Sequence, residues 1–372
     1  QEVEEEVGRT VERVLWDRQQ LGHVDLEASE KALRASMHRA GGHVLEKLLN
    51  ADGGGYRGSR IDCPKGHRAE LVESRRKEVV TVLAPVEVER AYYYCALCRQ
   101  GVIPKDHELD IVDTSFSPGV RRMMGRVGAK EAFDEGRRDL EDLAGVVVKT
   151  KAVERVAETL GQDVERFHQA EQQAALSGKL ESTEVVETLY IAIDGTGVPV
   201  VPHETEGRKG TDETGRAKTR EAKLGCVFTQ TTVDDQGRPL RDPGSTTYVG
   251  AIETAEQFGP RIYAEALRRG LKRAKRVVVL GDGAVWIRHI VEEHFPGAIQ
   301  IVDLFHARQH LAELGKIVYG AANPKSKDWA AGRSEQLDEG NVAAILKALK
   351  RLRPHLPAAQ KAVHDATTYF QT

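Results

Sequence analysis

Two phrases of the 372-residue sequence set acids where chemistry can use them: Tyr190-Ile-Ala-Ile-Asp194-Gly195 and Val277-Val-Val-Leu-Gly-Asp282-Gly283. Each is an apolar run ending in Asp and then Gly, so each carboxylate is expected where a buried strand reaches solvent. Parallel neighbouring strands lie about 4.8 Å apart, and the carboxyl edge of such a sheet is where α/β proteins place ligands. Paired carboxylates there can hold two divalent ions about 3.5 to 4 Å apart for phosphoryl transfer. A lone Asp-Gly after a strand is simply a turn; two of them in this setting argue for function. Asp303-Leu-Phe-His306 closes the next apolar run and reads either as a helix cap or as a wall of the same site. His310, one turn further on, reads either as an assistant to His306 or, the plainer reading, as a helix-surface residue. A second chemistry lies upstream, where Cys63-Pro-Lys-Gly-His67 and Cys95-Ala-Leu-Cys98 form two short-spaced pairs. Four sulfur and nitrogen ligands complete a tetrahedral zinc site, which with no open position is structural. The fourth cysteine, Cys226, reads as an inert core thiol.

The elements that must position these residues follow from periodicity. Residues 1–50 read as helix, with Val7, Val11 and Val14 on one stripe and Val44, Leu45, Leu48 and Leu49 on another. A Gly-rich break over 51–56 precedes short alternating β runs from Ile61 to Ile103, Val79–Leu83 and Val86–Tyr94 among them. Ser117-Pro118 starts a helix; helices at Phe133–Ala144 and Thr150–Leu160 follow, the last ending at Gly161. Beyond a polar bridge the pattern becomes α/β. Strands are expected at Thr188–Ile193, Lys223–Thr229 and Thr246–Gly250, and then a helix with a Thr254/Gln257 capping box. A strand at Arg276–Leu280, a helix at Ala284–Glu293 and a strand at Ile299–Val302 complete the series. Three strands in meander, then helix, strand, helix, strand, is the element order of a ribonuclease H-like domain. The stretch from His306 to Thr372 is mostly helical.

Composition narrows the classes. Lys and Arg number 54 against 57 Asp and Glu, a net charge of −3, and 40% of residues are hydrophobic, as in a soluble protein with a real core. No run approaches the roughly 18 apolar residues of a membrane span, and the acidic start has no signal-peptide pattern. Four cysteines, three of them clustered, suit a metal site under reducing conditions, so an intracellular protein with no membrane partner is expected. The start at Gln1 and the stop at Thr372 inside a helical pattern are expected of a piece of a longer polypeptide. A haloacid dehalogenase-like phosphatase is rejected, because Ala192 stands where that family needs its nucleophilic Asp.

The chain resembles the DDE transposases of bacterial insertion sequences, of the ISKra type, which share features with Mutator-like transposases. The matching phrases are IAIDGTGVPV at 191–200, AKTREAKLGCVFTQ at 217–230, STTYVGAIETAEQFG at 245–259, VVVLGDGAVWI at 277–287 and HFPGAIQIVDLFHARQHL at 294–311. The resemblance implies metal-dependent hydrolysis of DNA at element ends and transfer of the 3' hydroxyl into target DNA. It implies Asp194 and Asp282 as the first two catalytic acids, binding two Mg2+ or Mn2+ ions, and Asp303 and His306 as the Asp-x-x-His phrase after them. The third acid, a Glu, is expected beyond a helical insertion in a Gly-Ser-Gly-type phrase that does not occur before Thr372; Glu335, Glu339 and Asp365 look like solvated helix residues. Also implied are double-stranded DNA as partner, a homodimer or larger form on DNA, and a bacterial cytoplasmic, nucleoid-associated location. The fold class expected is a multidomain α/β protein. N-terminal helices (1–50), a zinc ribbon (51–110) and a helical, possible helix-turn-helix segment (111–182) precede a ribonuclease H-like catalytic core (183–318) and the start of a helical insertion (319–372). The alternatives are a DNA-binding derivative without catalysis and a stand-alone nuclease of the same fold.

Two segments are candidates for DNA contact. Residues 208–223 carry Arg208, Lys209, Arg216, Lys218, Arg220 and Lys223 against three acids, and a basic loop beside Asp194 can track phosphates; a plain mobile hairpin is the alternative. If Thr150–Leu160 is a recognition helix, Lys149, Lys151 and Arg155 face DNA, although an ordinary three-helix packing unit explains the same apolar spacing.

Overall fold

The computed structural model describes residues 2–182, 184–208, 210 and 217–371, in two compact units, 1–165 and 166–372. In the first unit α1 (Glu2–Leu21) and α2 (Leu26–Asn50) are separate helices, where the sequence reads as one helical stretch. The Asp25 carboxylate explains the restart, accepting from the Ala28 amide at 3.0 Å as an N-cap. Strands β1 (Arg60–Asp62), β2 (Arg68–Val80), β3 (Pro85–Cys95) and β4 (Gln100–Val102) pair antiparallel in chain order. The strand expected at Val79–Leu83 stops at Val80, because the Thr81 hydroxyl accepts from the Leu83 and Ala84 amides and donates to the Ala84 carbonyl. That local hydrogen bonding makes the turn into β3.

After the short α3 (Pro104–Glu108), α4 (Pro118–Gly128), α5 (Phe133–Ala144) and α6 (Thr150–Leu176) follow. Ser117 caps α4 with Pro118 in its first turn, as its sequence dictates. The three helices enclose Val120, Met124, Leu140, Val146 and Val153. α6 runs through Gly161, where the sequence predicts its end. A single Gly costs a helix about 1 kcal/mol relative to Ala, too little to break one continued by a Glu-, Gln- and Ala-rich stretch.

The second unit holds a five-stranded mixed sheet: β5 (Thr188–Pro199), β6 (Thr219–Phe228), β9 (Thr247–Ala251), β10 (Arg276–Gly281) and β11 (Ile299–Val302), in the order β11-β10-β5-β6-β9. The two-residue strands β7 (Thr232–Val233) and β8 (Pro239–Leu240) pair on their own between β6 and β9. β5, β6 and β9 are antiparallel, while β10 and β11 run parallel to β5. Helices α7 (Ala255–Arg268) and α8 (Val285–His294) supply the crossovers and cover one face. Leu189, Ile191, Ile193, Val279, Phe258, Ile262 and Ile287 form that core, their strand positions alternating as a pleat requires. The Thr254/Gln257 capping box is present. Helices α9 (Leu304–Tyr319), α10 (Pro324–Asp338), α11 (Val342–Arg351) and α12 (Pro357–Gln371) close on a second core of Leu311, Leu314, Ile345, Leu349 and Ala366. Among the described residues no helix is long and apolar enough to cross a membrane.

Candidate functional site

The acid phrases meet in the second unit through strand register. Leu280 pairs with Ala192 and Gly281 with Val302, so one or two steps further along each strand bring Asp194, Asp282 and Asp303 into one row. The Asp303 amide donates to the Gly281 carbonyl at 2.8 Å, carrying the β10–β11 ladder to that row. Successive residues of a strand alternate faces, which places all three acids on the face opposite Ile193 and Val279. One expectation is corrected here: β5 does not end at Asp194 but continues to Pro199, paired with β6. What ends there is the parallel neighbour β10, so the acid lies at a step in the sheet rather than at its tip.

Each carboxylate is tethered by backbone amides. Asp194 accepts from the Gly195 amide at 2.7 Å, Asp282 from Ala284 at 2.8 Å, and Asp303 from Phe305 at 2.7 Å and His306 at 3.0 Å. Asp303 therefore serves as the N-cap of α9 while standing in the row. Each offers oxygen donors, the kind that hard divalent ions take, but among the described residues the carboxylates of the row are not gathered as a metal-holding group in the way Cys63, His67, Cys95 and Cys98 are.

Near the row stand further residues, among them Tyr369, to which the sequence assigned no role at all. The Tyr369 hydroxyl of α12 donates to the Asp282 carbonyl at 3.0 Å. Burial, and then the Asp282 and Asp303 carboxylates, push that phenol up to about 12, so it remains a donor at neutral pH. Its ring lies against Gly283, where φ is +87° and a Cβ would come within 2.7 Å of the ring. His310 is half-buried rather than a helix-surface residue. Its ring packs against Tyr369 at 4.4 Å between centroids, tilted by 33°, and its Nε2 is 3.2 Å from that of His306. Burial and the His306 charge hold the His310 imidazole below its ordinary value. On the other, helix-covered face of the sheet, the Glu221 carboxylate and the Trp286 ring press on Gly195, where a Cβ would meet them at 2.7 and 3.2 Å. Lys223, buried, pairs with Glu221 at 2.5 Å and sits 5.0 Å from the Trp286 ring centre.

In the first unit the knuckles close as their spacing predicts. One ligand atom from each of Cys63, His67, Cys95 and Cys98 lies within 4.8 Å of the others. Cys63 Sγ is 3.6 Å from Cys98 Sγ, and His67 Nδ1 is 3.0 Å from the same sulfur. A Zn–S bond of about 2.3 Å gives a tetrahedral edge of about 3.8 Å, so the cage is of the right size. Burial and the neighbouring Cys63 and Cys95 sulfurs push the Cys98 thiol up to about 11; gathered thiolates need a cation to offset them.

The candidate DNA contacts fare unevenly. Arg220 lies on β6 opposite Val198 and is paired with Glu204 at 2.8 Å, so it belongs to a strand rather than to a loose loop. Lys218 precedes β6 and Arg208 lies beyond the turn over Pro202–Thr205; Lys209 and Arg216 lie outside the described residues. Lys149 precedes α6, Lys151 pairs with Glu154 at 2.6 Å, and Arg155 lies on the same helix one turn on. Glu335 and Glu339 stand on α10 and at its C-cap, and Asp365 on α12 pairs with Lys361 at 3.6 Å.

No protein-family model matches the sequence, and no curated protein does. Among solved structures, the Drosophila P element transposase strand transfer complex is similar over 68% of this chain and 63% of its own, at 9% identity and a TM-score of 0.26. The match spans less than two thirds of that chain, and a superposition so loose carries no argument about the site.

Proposed function

We propose that the chain is the DNA-cleaving and joining part of a transposase, with a ribonuclease H-like core. The observation that carries the reading is the register that brings Asp194 on β5, Asp282 just past β10 and Asp303 just past β11 into one row across adjacent parallel strands of the β11-β10-β5-β6-β9 sheet. An antiparallel meander with two parallel strands added beside its first is the order a ribonuclease H-like domain requires. Two divalent ions bound at the row would supply Lewis acidity to both in-line displacements, hydrolysis at an element end and attack of the freed 3' hydroxyl.

The chain's own contribution is positional. Asp194 and Asp282 hold charge at the step in the sheet, and Asp303 fixes the first turn of α9 so that His306 flanks the row. Tyr369 and His310 pin the Asp282–Gly283 turn. No side chain is placed to become a covalent intermediate, because the attacking groups are water and a DNA hydroxyl. In the first unit the Cys63, His67, Cys95 and Cys98 cage would hold structural zinc, and Lys149, Lys151 and Arg155 would contact DNA at the start of α6. Arg208 and Lys218 would follow the backbone near the row, with at least two protomers joining two ends.

The test is a labelled duplex bearing the ends of the element that encodes the chain, incubated with magnesium, with manganese and with chelator. The protein should nick and join it only with metal. Asp194→Asn and Asp282→Asn should each bind the duplex normally and lose cleavage by 100-fold or more. Cleavage that survives either substitution overturns the assignment. Binding without cleavage by the longest form of the protein favours the derivative that has lost its chemistry.

A further inference from the structure

From Gly340 to His364 the chain carries Lys347, Lys350, Arg351, Arg353 and Lys361 and not one acid. The chain as a whole is at −3, so removing these five charges leaves the remainder at −8. This concentration of positive charge is local, and three of the five fall on one element, α11. In α11, Ile345 and Leu349 are fully buried in the helical core. At 100° per residue, Lys347, Lys350 and Arg351 lie on the opposite face, spaced i, i+3 and i+4 as neighbours on a helix surface. All three are exposed, as are Arg353 and Lys361 beyond them.

Elsewhere in the same unit, several cations on or beside helices are paired with carboxylates. Arg261 pairs with Glu253 at 2.8 Å, Arg268 with Glu171 and Glu265 at 3.3 Å, and Lys272 with Glu181 at 3.3 Å, while Arg308 pairs with Asp338. Among the described residues, Lys347, Lys350 and Arg351 have no carboxylate partner. The C-terminal dipole of α11 accounts for part of the pattern: Arg353 donates to the Lys350 and Leu352 carbonyls. It does not account for Lys347, a turn earlier, nor for the absence of any acid between Gly340 and His364, although Lys361 finds Asp365 just beyond that stretch at 3.6 Å.

We propose that the outward face of α11, with Lys347, Lys350 and Arg351 at its centre, is a docking surface for the phosphodiester backbone of duplex nucleic acid. The large apolar residues of the helix, Ile345, Leu346 and Leu349, pack inward, and the small Ala343 is exposed beside the cations. A membrane-lying helix needs an apolar face free to enter the lipid, and this one is used. What remains is a flat row of positive charges without shape or hydrogen-bond specificity, which suits a regularly repeating polyanion. The surface is separate from the aspartate row and is independent of whether the chain cleaves DNA.

The test is fluorescence anisotropy of a labelled duplex of arbitrary sequence with the full chain, between 50 and 200 mM salt. Each phosphate neutralised contributes about 0.9 to the slope of log K against log salt. The triple variant Lys347→Gln, Lys350→Gln, Arg351→Gln should flatten the slope by up to about 2.7 and weaken binding at least tenfold at 100 mM salt. Its melting temperature should stay unchanged, since the three side chains are exposed. Asp282→Asn should keep the slope intact, and the triple variant should still cleave at saturating protein, so the two assignments fail separately. An unchanged slope and affinity in the triple variant, or no duplex binding at 50 mM salt, overturns the proposal. Binding to phosphatidylserine vesicles that is lost in the variant while duplex binding is untouched overturns it in favour of a membrane partner.

Discussion

Gly283→Ala tests whether the turn after Asp282 is held as described. At φ +87° an L-residue loses about 1–2 kcal/mol relative to Gly. The added Cβ would also lie 2.7 Å from Tyr369 Cε2 and 3.3 Å from Cζ and Oη, contacts that a rigid ring relieves only by moving α12 or the turn. Overpacking of this kind costs about 1–3 kcal/mol, so the expected loss is about 2–5 kcal/mol in all. Urea unfolding followed by the fluorescence of Trp286 and Trp329, both in the second unit, measures it. The two contributions separate in a double-mutant cycle. With Tyr369→Ala the clash disappears and only the backbone penalty of about 1–2 kcal/mol remains, leaving a coupling of about 1–3 kcal/mol. A cost below 1 kcal/mol, or the same cost with and without the Tyr369 ring, would refute the claim that this ring holds the turn. Tyr369→Phe removes only the hydroxyl donated to the Asp282 carbonyl and should cost about 1 kcal/mol.

The zinc cage should bind one ion per chain, and a strong chelator should unfold the β1–β4 module while leaving the α7–α8 core folded; metal analysis with circular dichroism on each unit checks this, and Cys98→Ser should mimic the chelator. Asp134 links α5 to α6, accepting from Thr150 at 2.9 Å and pairing with Arg137 at 3.2 Å and Arg138 at 2.7 Å. The hydrogen bonds from Thr150 and Arg137 hold its carboxyl below the ordinary 3.8. Its contribution is therefore complete above pH 3.8 and disappears as the pH falls through the lower folded value. Asp134→Asn should lower stability at pH 7 and remove that part of the acid transition, and an identical acid profile in the variant would contradict the link.

The sequence made the second unit readable because its strands are short, apolar and punctuated. Thr188, Arg276 and Ile299 each open a strand within a residue of where the pattern puts it, and Thr254 with Gln257 announces α7 outright. The zinc ligands were legible for a similar reason: Cys-x-x-Cys and Cys-x-x-x-His are local chelates whose geometry depends little on the rest of the fold. Three things were hidden. The end of β5 was misplaced because Gly195 and Gly197 look like a turn, whereas the ladder to β6 carries the strand through them to Pro199. Tyr369 gave no signal at all, since its contact with Gly283 spans 86 positions of chain and arises only when α12 folds back. His310 was misjudged on the same account, its aromatic neighbour being supplied by a distant helix.

The step at Asp194 also has a mechanical side. β10 stops beside this residue and β9 reaches only as far as Lys223, so Thr196–Pro199 and Thr219–Ala222 run on as a bare two-stranded ribbon. Four residues of strand project about 13 Å, and beyond its own ladder the ribbon is tied back through Arg220, to Glu204 at 2.8 Å and to the Ile252 carbonyl at 3.5 Å. Asp282 and Asp303 are anchored among helices, whereas Asp194 stands at the root of a cantilever. A load on the tip of that beam, such as a long stiff molecule resting against it, would turn about Gly195 and be felt first by the spacing between Asp194 and its two neighbours.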